Sequence, residues 1–265
     1  MILLTATWSL GYAALAIAVA ILSYHFLTRR RTASGQQTAQ VLLTISTILL
    51  WTSLGVRIIR GHGWAFYSPA DLATGIALLL LALYVVWSIV AHQHTTAWFV
   101  SAIALALLSY ALIRQPPTLS TQPFPSPGIR AGTMLNLGGG ALLALAAAAS
   151  LATLLGRSSH QTHNSDLATH SSDRASEAFV RVALFCLAMS LAIDTWWLQK
   201  VGLGNANDAQ QAGIAVTWMV YFCAIRLRTQ PDWKGWPWTA IVTVGFGCTL
   251  PILLNVPWLE TTLAL

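Results

Sequence analysis

Charge is what this sequence has least of. Only 8% of its 265 residues are Asp, Glu, Lys or Arg, where a water-soluble surface takes roughly a quarter. With 56% hydrophobic residues beside so few charges, the chain cannot wet a globular surface, and lipid is the solvent it suits. Acids are scarcer still, eight against fourteen basic residues. In a lipid setting the resulting +6 reads as a positive-inside bias and not as a nucleic-acid footprint, because no basic run exceeds Arg29–Arg30–Arg31. Cysteine is also rare. Cys186, Cys223 and Cys248 each sit in an apolar run and form no C-x-x-C pair, so they read as buried spectator thiols. No basic region precedes the first apolar stretch, which therefore reads as a retained span and not a cleaved signal peptide. Missing too are a glycine loop for phosphate, an H-E-x-x-H motif and a nucleophile–base pair, so the sequence makes no case for an enzyme.

What the chain does have is apolar length. Crossing about 30 Å of hydrocarbon takes roughly twenty apolar residues in a helix. Eight segments qualify: 7–27, 41–59, 72–91, 97–113, 131–155, 178–197, 208–227 and 238–258, the fourth being the shortest. Bare backbone polar groups are too costly in lipid, and no strand alternation appears, so the spans are helices. The expected fold is all-α: one integral membrane domain over 1–265, a polytopic bundle of about eight transmembrane helices in an inner or plasma membrane. Eight spans put both termini on one side. The loops after spans one, three, five and seven, with the adjoining span ends, carry Arg29, Arg30, Arg31, Arg157, Arg174, Arg181, Arg226, Arg228 and Lys234. The opposite face carries only Arg57, Arg60, Arg114, Arg130 and Lys200. The richer set is expected in the cytoplasm, which makes both termini extracytoplasmic. The segment 157–177, rich in Ser, His and Asp, reads as a flexible cytoplasmic loop, and 115–128 as a Pro/Ser/Thr-rich loop on the outer face. Gly138–Gly139–Gly140 and the alanines that follow suit close helix packing, and the small-residue face 138–150 is expected to serve lateral contact with other integral membrane subunits.

Polar residues near the span ends are the candidates for a site. Asp194 lies three residues from the end of the sixth span and Asp208 opens the seventh. A carboxylate at the bilayer centre costs about 2.5–3.5 kcal/mol, so one near a span's edge faces protein or water. Asp208 has an equally good reading as a helix N-cap. Arg226, at the C-terminal end of the seventh span, reads as a cytoplasmic-side anchor against the negative end of the helix dipole.

The order of landmarks says more than any one of them. Trp196–Trp197 is followed by the loop 200–207, Asp208, Trp218, Tyr221, Arg226 and Arg228, then by Asp232–Trp233–Lys234–Gly235 and a final span with Gly245–Phe246 and Asn255. This order resembles the cytochrome c assembly protein family, the haem-handling membrane proteins of the CcsA and CcmC type. Their pattern is an outer loop with a Trp, W-G-x-x-W-x-W-D-P-K-E, a Trp ten residues after the Asp, L-H-L-R and G-W-R/K-G. Trp196, Gly202, Asp208, Trp218, Leu227, Arg228, Trp233 and Gly235 fall at matching spacing. Gly61–His62–Gly63 with Tyr67 and Asp71 is a weaker echo of the family's G-H-x-P and Y-E stretch. The resemblance is good over about 178–256 and faint over 57–150.

The departures fall on the haem positions. Val201, Asn205 and Asn207 stand where the family has platform tryptophans, Ala209–Gln210–Gln211 replaces Pro-Lys-Glu, and Arg226 replaces the histidine of L-H-L-R. No histidine enters the fifth span, where Thr133, Met134 and Leu135 lie. The resemblance implies haem handling or cytochrome complex assembly, with His62, Met134, Trp196, Trp197, Asp208 and Trp218 as the haem contacts and a c-type cytochrome or its assembly partners alongside. Haem needs axial ligands from His, Met, Cys or Tyr, and the outer face holds one histidine, so haem is not expected to be held stably by this chain alone. The alternative is a ligand-free accessory subunit of a larger membrane complex. His160, His163 and His170 share one polar stretch without a structured carboxylate or thiol beside them, and read as solvated. His25, His92 and His94, like most of the twelve tryptophans, read as interfacial.

Overall fold

Apolar runs bounded by polar turns become helices along the whole chain. The computed structural model describes residues 2–28, 33–61, 66, 68–91, 96–114, 127–158, 164–201, 208–230, 233 and 235–254, with backbone alone at 2–6, 25–28, 33–36, 57, 60–61, 91, 155–158, 164–172, 198, 201 and 208–210. The helices are α1 (Ile2–Thr28), α2 (Ala33–Gly61), α3 (Pro69–Ala91), α4 (Ala97–Arg114), α5 (Pro127–Ser158), α6 (Asn164–Val201), α7 (Asp208–Leu227) and α8 (Trp236–Leu253). No strand occurs among the described residues. Seven of the eight are long and apolar enough to cross a membrane, as a multi-pass bundle requires. The exception is α7, in which the apolar stretch among the described residues is the shorter Gln211–Leu227.

Two expectations need correction. Most of the stretch 157–177 is helix and not loop: α5 runs to Ser158 and α6 begins at Asn164, while 159–163 lie outside the described residues. At 38 residues, α6 is about 57 Å long, nearly twice the hydrocarbon thickness. Its polar start is helical because Asp173, Ser176 and Glu177 find partners on other elements, described below. The small-residue face 138–150 is not free for other subunits either. Every residue from Ala141 to Ser150 except Leu142 is buried.

Contacts divide the chain into two compact units, Met1–Phe124 and Pro125–Leu265, where the sequence reads as one membrane domain. The boundary falls at the end of the Pro-rich stretch 115–126. In the first unit α1 lies along α2 and α3 along α4, with further contacts joining α1 to α4 and α2 to α3. Gly11 permits the α1–α2 approach. A Cβ there would stand 2.9 Å from Leu50 Cγ, and the Gly11 carbonyl accepts a 2.8 Å bond from Ser46 Oγ. Tyr12 with Ser109 and Trp98 with Ser23 tie α1 to α4 at 2.8 and 2.9 Å. A capping box starts α3: the Asp71 amide donates to Ser68 Oγ (3.1 Å), and Asp71 Oδ2 accepts from the Ser68 amide (3.3 Å) and hydroxyl (2.8 Å).

In the second unit α5 and α6 pack along most of their length, with α8 against α5 and α7 against both α6 and α8. At Gly139 the two helices lie close, a Cβ there meeting Leu187 Cδ2 at 2.9 Å. Its neighbour Gly138 would meet nothing within 4 Å.

Candidate functional site

Three features of the second unit bear on function. The first is an apolar cleft of about 600 Å³ between α6 and α7. Its walls come from Ala188, Leu191, Ala192, Thr195, Trp196 and Gln199 on α6 and from Ala215, Trp218 and Met219 on α7. Trp196 and Trp218, twenty-two positions apart, thus meet at one cleft. Trp218 stacks on Phe222 with ring centroids 5.0 Å apart, which fixes its plane. Lys200 holds its Nζ over Trp196 at 5.2 Å and over Trp197 at 5.8 Å, a cation–π arrangement at the end of α6.

The second feature is the α5–α6 seam beside Asp194. Trp197 rests on Gly128, where a Cβ would lie 2.5 Å from the indole Cδ2. Asp194 rests on Gly132, where a Cβ would collide with the carboxylate. Ser190 Oγ stands 3.0 Å from the Gly132 carbonyl and 3.1 Å from Asp194 Oδ2, so one hydroxyl proton serves two acceptors. Asp194 therefore works inside the seam, as a polar contact between two helices.

The third feature went unrecognised in the sequence. Arg228, 7% exposed, sits just past α7 and clamps the polar start of α6. Its Nη2 is 3.0 Å from Asp173 Oδ2 and also donates to the Asp173 carbonyl at 3.1 Å, and its Nε is 3.2 Å from Glu177 Oε2. The guanidinium stacks over Trp238 of α8 at 4.2 Å. Trp238 Nε1 donates to Ser176 Oγ (3.2 Å), which is 2.6 Å from Ser150 Oγ of α5. Glu177 is shared with exposed Arg181, so two cations face two anions and the buried charge is balanced. The signal for this was present: Asp173, Ser176 and Glu177 at i, i+3 and i+4 share one face once the segment is helical.

Arg226, by contrast, is exposed and lies over the Phe222 ring at 5.5 Å. Asp208 opens α7 as expected, although its side chain lies outside the described residues. Met134 is 41% exposed on α5. His62, the loop 202–207 and all seven histidine side chains lie outside the described residues. Gly235 takes φ 83° at the start of α8, a left-handed conformation that glycine alone adopts without penalty.

No family model matches this chain, and no curated protein does. The site must therefore be judged on its chemistry. Among the described residues no group of three His, Cys, Asp or Glu could hold a metal ion. The lining of the cleft includes one thioether, Met219, and no imidazole, thiol or phenol. It does not fit a haem ligated on both faces.

Proposed function

We propose that this chain is a divergent cytochrome c assembly-type integral membrane protein, an accessory in cytochrome complex assembly that handles haem only with a partner supplying the axial ligands. One observation supports the reading: four of the eight positions that match the family have a place in this fold. Arg228 is the buried clamp, Gly235 takes the positive φ before α8, and Trp196 and Trp218 wall one cleft. The positions that depart, Val201, Asn205, Asn207 and Arg226, are the ones where the family places platform tryptophans and a histidine. Skeleton and ligand set have separated. The partners of this role are other integral membrane subunits and a c-type cytochrome or its assembly proteins, with no nucleic acid and no enzymatic step. The chain purified in mild detergent should then lack a stoichiometric haem absorbance band and should come out with partner chains. A monomer with one haem per chain, lost on His62→Ala, would restore a self-sufficient haem carrier. Absence of both haem and partners would remove the assembly role.

The nine-to-five split of Lys and Arg supports an eight-span topology with both termini outside, which puts the Arg228 clamp on the cytoplasmic side. Impermeant thiol reagent added outside should label a cysteine placed at Gln122 and spare one at Ser159. The opposite pattern inverts the topology.

A further inference from the structure

The α6–α7 cleft points to a different ligand from haem. We infer that it is a binding site for one anionic phospholipid, with an acyl chain along the cleft and the headgroup phosphate at Lys200. Length argues for this first. The α6 wall runs from Ala188 to Gln199, eleven residue steps or about 16 Å of helix, close to half of the roughly 30 Å hydrocarbon core. That is the depth of one leaflet, hence of one acyl chain. The lining fits along the same axis. Ala188, Leu191, Ala192, Ala215 and Met219 offer only carbon and sulfur, while Thr195 and Gln199 bring polar groups towards the C-terminal end of α6. Charge completes the match. Trp196, Gln199 and Lys200 stand at i, i+3 and i+4 and share one helical face, and Lys200 Nζ lies over the Trp196 ring that walls the cleft. A cation at the end of a leaflet-deep apolar cleft complements a phosphate joined to an acyl chain.

The test uses the full chain in detergent, titrated with phosphatidylglycerol or with phosphatidylcholine of the same acyl composition, and bound lipid counted by native mass spectrometry. Phosphatidylglycerol should bind more tightly than phosphatidylcholine. Lys200→Gln, at an exposed position, should weaken it about fivefold, the effect of one lysine at an anionic membrane surface, and remove the preference. Ala215→Trp, which fills the cleft, should abolish binding of both lipids, and unchanged melting would show that it folds. Inorganic phosphate should not compete, because the acyl chain provides most of the burial. Equal binding of the two lipids, or a preference that survives Lys200→Gln, overturns the inference, and so does haem taking the cleft in place of lipid. This result stands apart from the assembly role, which would survive an empty cleft.

Discussion

Gly132→Ala is expected to destabilise the second unit by about 1–3 kcal/mol, the range for overpacking a close contact. The new methyl group would fall on the Asp194 carboxylate and displace the shared Ser190 hydroxyl from the Gly132 carbonyl. Asp194 is short and sits on a helix, so relief requires α5 and α6 to separate. Removing the obstacle should recover stability: the double variant Gly132→Ala, Asp194→Ala should melt above the Gly132→Ala single variant. Two other glycines of α5 serve as controls. Gly139→Ala meets the flexible end of Leu187 and should cost less, while Gly138→Ala meets nothing and should gain up to about 1 kcal/mol from helix propensity. Thermal unfolding in detergent, followed by circular dichroism, ranks the three. Equal melting of all three would contradict the seam described for α5 and α6.

Arg228→Gln should destabilise the second unit more than any of the three glycine substitutions. Removing one member of a buried ion cluster costs about 3–5 kcal/mol when its partners stay dry. Asp173 and Glu177 side chains are 15% and 26% exposed, and water reaching them lowers the expectation to about 2–4 kcal/mol. Arg228→Lys should rescue little, because one ammonium cannot meet two carboxylates and a carbonyl while stacking flat on Trp238. Arg226→Gln, two residues away but exposed, should cost no more than about 1 kcal/mol. Limited proteolysis gives a second readout, since the start of α6 should become cleavable in Arg228→Gln while the apolar spans stay protected. A stable, protease-resistant Arg228→Gln protein would show that the clamp is dispensable.

The apolar spans were legible in the sequence because twenty-residue apolar runs leave a helix no competitor in lipid. Over 164–177 helix stands where a loop is expected, for a reason remote in sequence. Ser, His and Asp favour turns when nothing else binds them, and here Asp173, Ser176 and Glu177 are bound by Arg228, Ser150 and Trp238. Those contacts span from 26 to 62 residues of sequence and leave no trace in any local stretch of it. Trp196 and Trp218 stand out in the sequence by their order along the chain, and both line the α6–α7 cleft, which says nothing of haem contact. Asp194 stands out in the sequence as a membrane carboxylate, but its neighbour Gly132 does not, since a glycine carries no side-chain signature of what rests on it. In the sequence Arg228 reads as a family landmark and not as a site, because an arginine at a span end ordinarily faces water. Arg226 behaves that way and Arg228 does not.

Covalently bound haem in c-type cytochromes is the quantity closest to the central claim. In the native host with this chain deleted, haem-stained denaturing gels should lose c-type cytochrome bands while the corresponding apoproteins are still synthesised. Expression of the wild-type chain should restore the bands, and Arg228→Gln should restore them only as far as its folded level allows. Undiminished c-type cytochrome haem in the deletion would contradict a role in cytochrome complex assembly.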